Sequence, residues 1–140
     1  MTSKRFIIHT DGGARGNPGP AAIGAVLRNE KGEIVREISE YIGEATNNQA
    51  EYKAVIAALA EAKKLGAVEL EFFLDSELVV YQLNREYKVR DKDLAPLFVK
   101  IYNGSMSFKK VFFRHVPREK NRAADRLVNE ALDKEVKGGK

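Results

Sequence analysis

Two periods of hydrophobicity divide the chain. Residues 4 to about 42 carry apolar side chains in short runs separated by turn-forming residues. Residues 4–10 (KRFIIHT) predict a first strand, residues 21–28 a second and residues 33–42 a third, with Glu30-Lys31-Gly32 turning between the last two. A glycine- and proline-rich loop, Gly12-Gly13-Ala14-Arg15-Gly16-Asn17-Pro18-Gly19-Pro20, joins the first to the second. The opening third therefore reads as a three-stranded antiparallel meander.

The period then changes. Val55, Leu59 and Ala62 recur at helical spacing in an alanine-rich segment, residues 47–65, that stops at Gly66. Thr46-Asn47-Asn48-Gln49 ahead of it has the form of a capping box, the threonine capping and the glutamine reaching back. A fourth strand at 68–74, a helix near 76–84, a short helix at 93–103, a fifth strand at 108–116 and an amphipathic helix at 119–135 complete the order. One domain over residues 1–136 is expected, with residues 137–140 as a disordered tail. Strands alternating with helices imply parallel pairing through right-handed crossovers. The expected fold is α/β: a five-stranded mixed sheet, three strands antiparallel and then two parallel, with helices on both faces. Sheets of this kind bind ligands beyond the carboxyl ends of their strands.

Composition narrows the classes. A chain of 140 residues can bury a core without covalent staples. The absence of cysteine excludes disulfides and zinc–thiolate sites, and it suits a reducing cytosol. No apolar run approaches the ~20 residues needed to span a bilayer, and the N-terminus leads into a strand with no signal peptide before it. A cytoplasmic protein with no membrane association is expected. The net charge is +4. Its distribution is uneven, with Lys109, Lys110, Arg114, Arg118, Lys120, Arg122 and Arg126 crowded into the last third. On charge alone this could be a solvated face or a nucleic-acid surface.

Four acids stand in awkward places. Asp11 closes the first strand, where Asp-Gly is also an ordinary turn dipeptide. Asp75 closes the fourth strand, where an aspartate before a helix is also an ordinary cap. If those strands are parallel neighbours, ~4.8 Å apart, both carboxylates emerge at one edge. Glu51 precedes Val55 by four residues and Leu59 by eight, so it shares their inward stripe, and no basic residue accompanies it. Asp125 precedes Val128 by three residues and Leu132 by seven, which turns it towards the sheet; pairing with a nearby arginine is the bland account. Acids of one sign at one sheet end suit hard divalent cations bound through oxygen, magnesium being the commonest beside phosphate. Zinc fits poorly, since only His9 and His115 could supply nitrogen.

Taken in order, the motifs resemble the type 1 ribonucleases H. They are Thr10-Asp11-Gly12-Gly13 through Gly16-Asn17-Pro18-Gly19-Pro20, then Thr46-Asn47-Asn48-Gln49-Ala50-Glu51, then Asp75-Ser76, then His115 with Asn121 and Asp125 behind it. The resemblance covers nearly the whole chain. It implies a metal-dependent endonuclease that cuts the RNA strand of RNA/DNA hybrids with two Mg2+ ions, Mn2+ being an alternative, and leaves 5′-phosphate and 3′-hydroxyl ends. It implies that Asp11, Glu51, Asp75 and Asp125 bind the metals and that His115 assists proton transfer or product departure. It further implies substrate contacts from Gly12, Gly13, Asn17, Thr46, Asn47, Asn48 and Gln49, with Thr46 part of a pocket for a DNA phosphate. The segment from Leu83 to Leu94 is too short for the basic handle of some members, and no N-terminal hybrid-binding domain is expected. The chain resembles the compact form, with Arg85, Lys88, Arg90 and Lys92 as candidates for grip. A monomer without an obligate protein partner is expected. The competing readings are a DNA nuclease on the same fold, a non-catalytic nucleic-acid binder and a nucleotide enzyme; the last lacks the Gly-Lys-Ser/Thr of a P-loop.

Overall fold

The opening apolar runs pair into a meander of β1 (Arg5–Ala14), β2 (Gly19–Arg28) and β3 (Ile34–Ala45). The structure, a computed structural model, describes residues 4–138. After the meander come α1 (Asn47–Lys64), β4 (Glu69–Leu74), α2 (Glu77–Leu83), α3 (Ala95–Ser105), β5 (Lys110–His115), a 3-10 turn (Arg118–Lys120) and α4 (Arg122–Gly138). The five strands form one sheet in the order β3-β2-β1-β4-β5. β1 is antiparallel to β2 and β2 to β3, whereas β4 runs parallel to both β1 and β5.

Three boundaries differ from the sequence reading, each for a physical reason. β1 does not stop at Thr10: its backbone keeps pairing with β2 through Gly12↔Ile23, Gly13↔Ala22 and Ala14↔Ala21. Glycine weakens a strand without forbidding it, and here marks a close approach. The last helix does not start at 119, because Pro117 leads into a separate 3-10 turn and regular helix begins only after Asn121. It also runs through Gly138, so residues 137 and 138 are helical rather than tail. Residues 139 and 140 lie outside the described residues.

Burial explains the layers. Phe6 and Ile8 of β1, Leu70, Phe72 and Leu74 of β4, and Tyr52, Val55 and Leu59 of α1 share the main core. α2 and α3 complete that side, against α1 and the β4–β5 end of the sheet. The Tyr52 hydroxyl donates to Gln82 Oε1 at 2.7 Å, tying α1 to α2, and burial pushes the phenol up to about 12. α4 covers the opposite face over β1, β2 and β3, where Val128, Ala131 and Leu132 pack on Ala22.

Each main helix approaches the sheet at a glycine. A Cβ at Gly24 would come within 2.4 Å of the Ala124 carbonyl oxygen on α4, and one at Gly12 within 2.2 Å of the Ala50 carbonyl on α1. Neither helix could sit so close over a side chain. Gly24→Ala should therefore cost about 1–3 kcal/mol through overpacking. Urea denaturation checks this, and a midpoint equal to that of the parent chain would contradict it.

Candidate metal centre

The sheet sets the site by ending its strands at different heights. β1 continues five residues past its last pair with β4, His9↔Phe73, and Asp11, the second of them, stands just beyond the parallel ladder while β2 still holds it opposite Gly24. Asp75 is the first residue after β4. The two aspartates thus emerge on neighbouring strands at the carboxyl edge. α1 supplies the third acid. Its capping box is formed, with Thr46 Oγ1 accepting from the Gln49 N–H at 3.1 Å and Gln49 Oε1 accepting from the Thr46 N–H at 2.8 Å. The helix therefore begins at a fixed point, and its contact with Gly12 carries Glu51 to the edge.

Carboxylate oxygens of Asp11, Glu51 and Asp75 all lie within 4.8 Å of one another. Asp125, in the first turn of α4, joins this trio through Asp11, to which it is close enough to hydrogen-bond. All four acids read from the sequence therefore gather at one rim, three of them tightly.

Gathering costs energy. Burial, followed by the charges of Asp75 and Asp125 and a hydrogen bond with Asp125, pushes Asp11 up to about 8; the Gly12 backbone N–H works in the opposite direction. Burial, followed by the charges of Asp11 and Asp75, raises Glu51 well above the usual carboxylate range, against the Gly12 N–H and the charge of Arg118. Glu51 Oε1 is buried and has no hydrogen-bond partner. A buried acceptor without a donor is expensive. Converging oxygens, one of them orphaned, with no cysteine in the chain, form the donor set of a hard divalent cation.

Asn121 has a role that the sequence motif does not spell out. It is 1% exposed, and its amide donates to the Thr10 carbonyl at 2.9 Å and to Asp75 Oδ2 at 3.1 Å. One side chain thus ties β1, the end of β4 and the start of α4 together, and it fixes the Asp75 carboxylate. The one signal in sequence is an asparagine at a helix start, which reads equally well as a cap.

The remaining candidates surround this centre. His115 is exposed at the end of β5, level with Leu74, the residue before Asp75. Asn47 Oδ1 accepts from the Ala14 N–H at 2.8 Å, and Asn17 Oδ1 accepts from the Asn47 N–H at 3.0 Å. Together they latch the glycine loop to the α1 N-terminus. Thr46 and Gln49 serve the cap, and Asn48 is half-buried in the first turn. Gly12 owes its missing side chain to α1, whereas a Cβ at Gly13 would meet only ordinary contacts, the nearest being Val128 at 3.8 Å. In the short α2–α3 connection Arg85 has a positive φ of 63° and lies over the Tyr102 ring at 5.6 Å. Arg85, Lys88, Arg90 and Lys92 belong to that connection.

Residues 9–131 match a family described as reverse transcriptase-like. The chain is 48% identical to ribonuclease HI of Halobacterium salinarum over 129 residues that cover 92% of this chain and 65% of that protein. It is 44% identical to the bifunctional protein Rv2228c of Mycobacterium tuberculosis over 92% of this chain and 36% of that one. It thus spans less than two thirds of either curated relative. Among solved structures, LC11-RNase H1, isolated from compost, in complex with an RNA/DNA hybrid superposes with a TM-score of 0.90 at 50% identity, covering 94% of this chain and 99% of that one.

The raised acids fix the sign of a pH effect. Between the usual carboxylate range and pH 8 the folded chain holds protons that the unfolded chain has released, so stability falls as pH rises through that window. Melting temperature without divalent ions should drop from pH 5 to pH 9. Millimolar Mg2+ should remove the drop by binding the folded state, and Asp11→Asn should flatten it. Melts that are insensitive to both pH and magnesium would refute the strained cluster.

Proposed function

This chain belongs to the ribonuclease H family, and we propose that it is an endonuclease hydrolysing the RNA strand of RNA/DNA hybrids. The observation that carries this reading is the trio Asp11, Glu51 and Asp75, with its orphaned Glu51 oxygen, at the carboxyl edge of β1 and β4. Asp11 would be shared between two magnesium ions, Asp125 completing one site and Glu51 with Asp75 the other; manganese is the substitute. When bound, such ions lower the pKa of water and neutralise charge at a phosphate.

The chain's own residues position and select. The Gly12 contact and the Asn121 hydrogen bonds hold the carboxylates, so little reorganisation is needed when a substrate arrives. His115, exposed beside the centre, takes or gives a proton at the leaving 3′-oxygen, and the products carry 5′-phosphate and 3′-hydroxyl ends. The latch of Asn17 and Asn47, with Thr46 and Gln49, presents the α1 N-terminus, whose amides favour a phosphate of the DNA strand. Gly13 and Asn48 face the minor groove, where consecutive 2′-hydroxyls mark the RNA. The same reading carries a monomer acting in the cytoplasm; among the described residues, no helix is long and apolar enough to cross a membrane.

A cleavage panel of hybrid, double-stranded RNA, double-stranded DNA and single strands, with and without magnesium, tests the reading. Only the hybrid should be cut, and only with a divalent ion. Preferential cutting of all-DNA duplex would replace the reading with a DNA nuclease. Asp11→Asn should lower turnover by about a thousandfold or more while hybrid binding persists in EDTA. His115→Ala should lower kcat by about 10–100-fold while hybrid binding in EDTA persists. Unaltered turnover would relieve His115 of its role.

A further inference from the structure

α4 packs on β1, β2 and β3 and leaves the same sheet face largely uncovered over β4 and β5. The register fixes what stands there. Arg5, Ile7 and His9 of β1 are level with Glu69, Glu71 and Phe73 of β4. Those three are level in turn with Lys110, Phe112 and Arg114 of β5. His9 and Phe73 stack with ring centroids 5.1 Å apart, and the Arg114 guanidinium lies 5.1 Å over the Phe112 ring. Phe112 is 39% exposed.

Charge on this face is lopsided. Glu71 is buried and is neutralised from two sides, by Arg5 at 2.5 Å and by the Nε of Arg114. Lys110 on β5 and Arg28, opposite Ile7 on β2, add two cations against the one remaining acid, Glu69. The face is also continuous with the metal centre. Asp11 and Asp75 come two residues after His9 and Phe73 on the same strands, and a period of two returns them to the same side.

We propose that this open face is a stacking platform for a single-stranded nucleic-acid segment running on from the metal centre. Aromatic faces set among cations suit unpaired bases and their phosphates, because every base offers a π face and stacking tolerates any sequence. A duplex hides those faces, so the ligand is unpaired strand lying beyond the metal centre. A protein partner fits less well. A stable protein interface buries ~800 Å2 on each side around an apolar centre. Among the described residues, the large exposed hydrophobic on this face is Phe112 alone, and it is flanked along its strand by Lys110 and Arg114. The inference does not depend on hybrid cleavage.

Fluorescence anisotropy with a labelled oligouridylate, in EDTA so that no strand is cut, tests it on the whole chain. The parent chain should bind, more weakly as salt rises. Phe112→Leu keeps an apolar side chain on the sheet and removes the π face, and should weaken binding about fivefold or more; Phe112→Trp should restore it. Lys110→Glu should weaken it as well. Thermal melts establish that each variant is folded. Failure of the parent chain to bind, or equal binding by Phe112→Leu, would overturn the platform. So would sedimentation showing a dimer that Phe112→Leu dissolves, because the face would then belong to a second copy. Intact hybrid after incubation with magnesium would count against the cleavage reading alone and leave the anisotropy result standing.

Discussion

Mutual repulsion among carboxylates that the scaffold forces together is the constraint on which this molecule turns. Left to themselves, Asp11, Glu51 and Asp75 would separate or bind protons; burial first, and the charges of the neighbouring acids after it, push Asp11 and Glu51 up. The backbone does not let them separate. Asp11 is held in the β1–β2 ladder, Asp75 follows β4 directly, and Glu51 rides on a helix seated against Gly12. The energy needed to keep them in place comes from the apolar layer between α1 and the sheet. Stability in the core is thus converted into electrostatic strain at the rim, which a divalent cation relieves.

The two faces of the sheet divide the work. On one, α1 with α2 and α3 closes the main core and delivers Glu51. On the other, α4 delivers Asp125 and covers β1 to β3 only. Asn121 joins the two sides at the edge, reaching the Thr10 carbonyl and the Asp75 carboxylate from the start of α4. It is an amide where four acids converge, so it holds its neighbours without adding to the charge.

Much of this was legible in the chain. The change from short β-branched runs to helical spacing at residue 47 gave the order of elements, and the capping box at Thr46 is present as read. Asp11, Glu51, Asp75 and Asp125 could be singled out because each places an unpaired acid at a strand end or on an inward helical stripe. What escaped depends on contacts that have no local signature. β1 continues through Gly12 and Gly13 because β2 supplies hydrogen bonds that no propensity scale contains. Glu71 sits in an alternating strand like any outward acid, yet it is buried because Arg5 and Arg114 flank it from positions 66 and 43 residues away. The tether of Asn121 spans 111 residues to Thr10 and is invisible for the same reason.

The seat of α1 on Gly12 has a mechanical corollary. Main chain meets main chain there, so the fulcrum is indifferent to which apolar side chains fill the layer further along the helix. Changes of volume near Leu59 or Ala62 would swing the distal end of the lever and leave its proximal end almost stationary. The chemistry at the rim is thereby insulated from drift in the interior, and the hydrophobic layer is free to diversify while the acids keep their spacing.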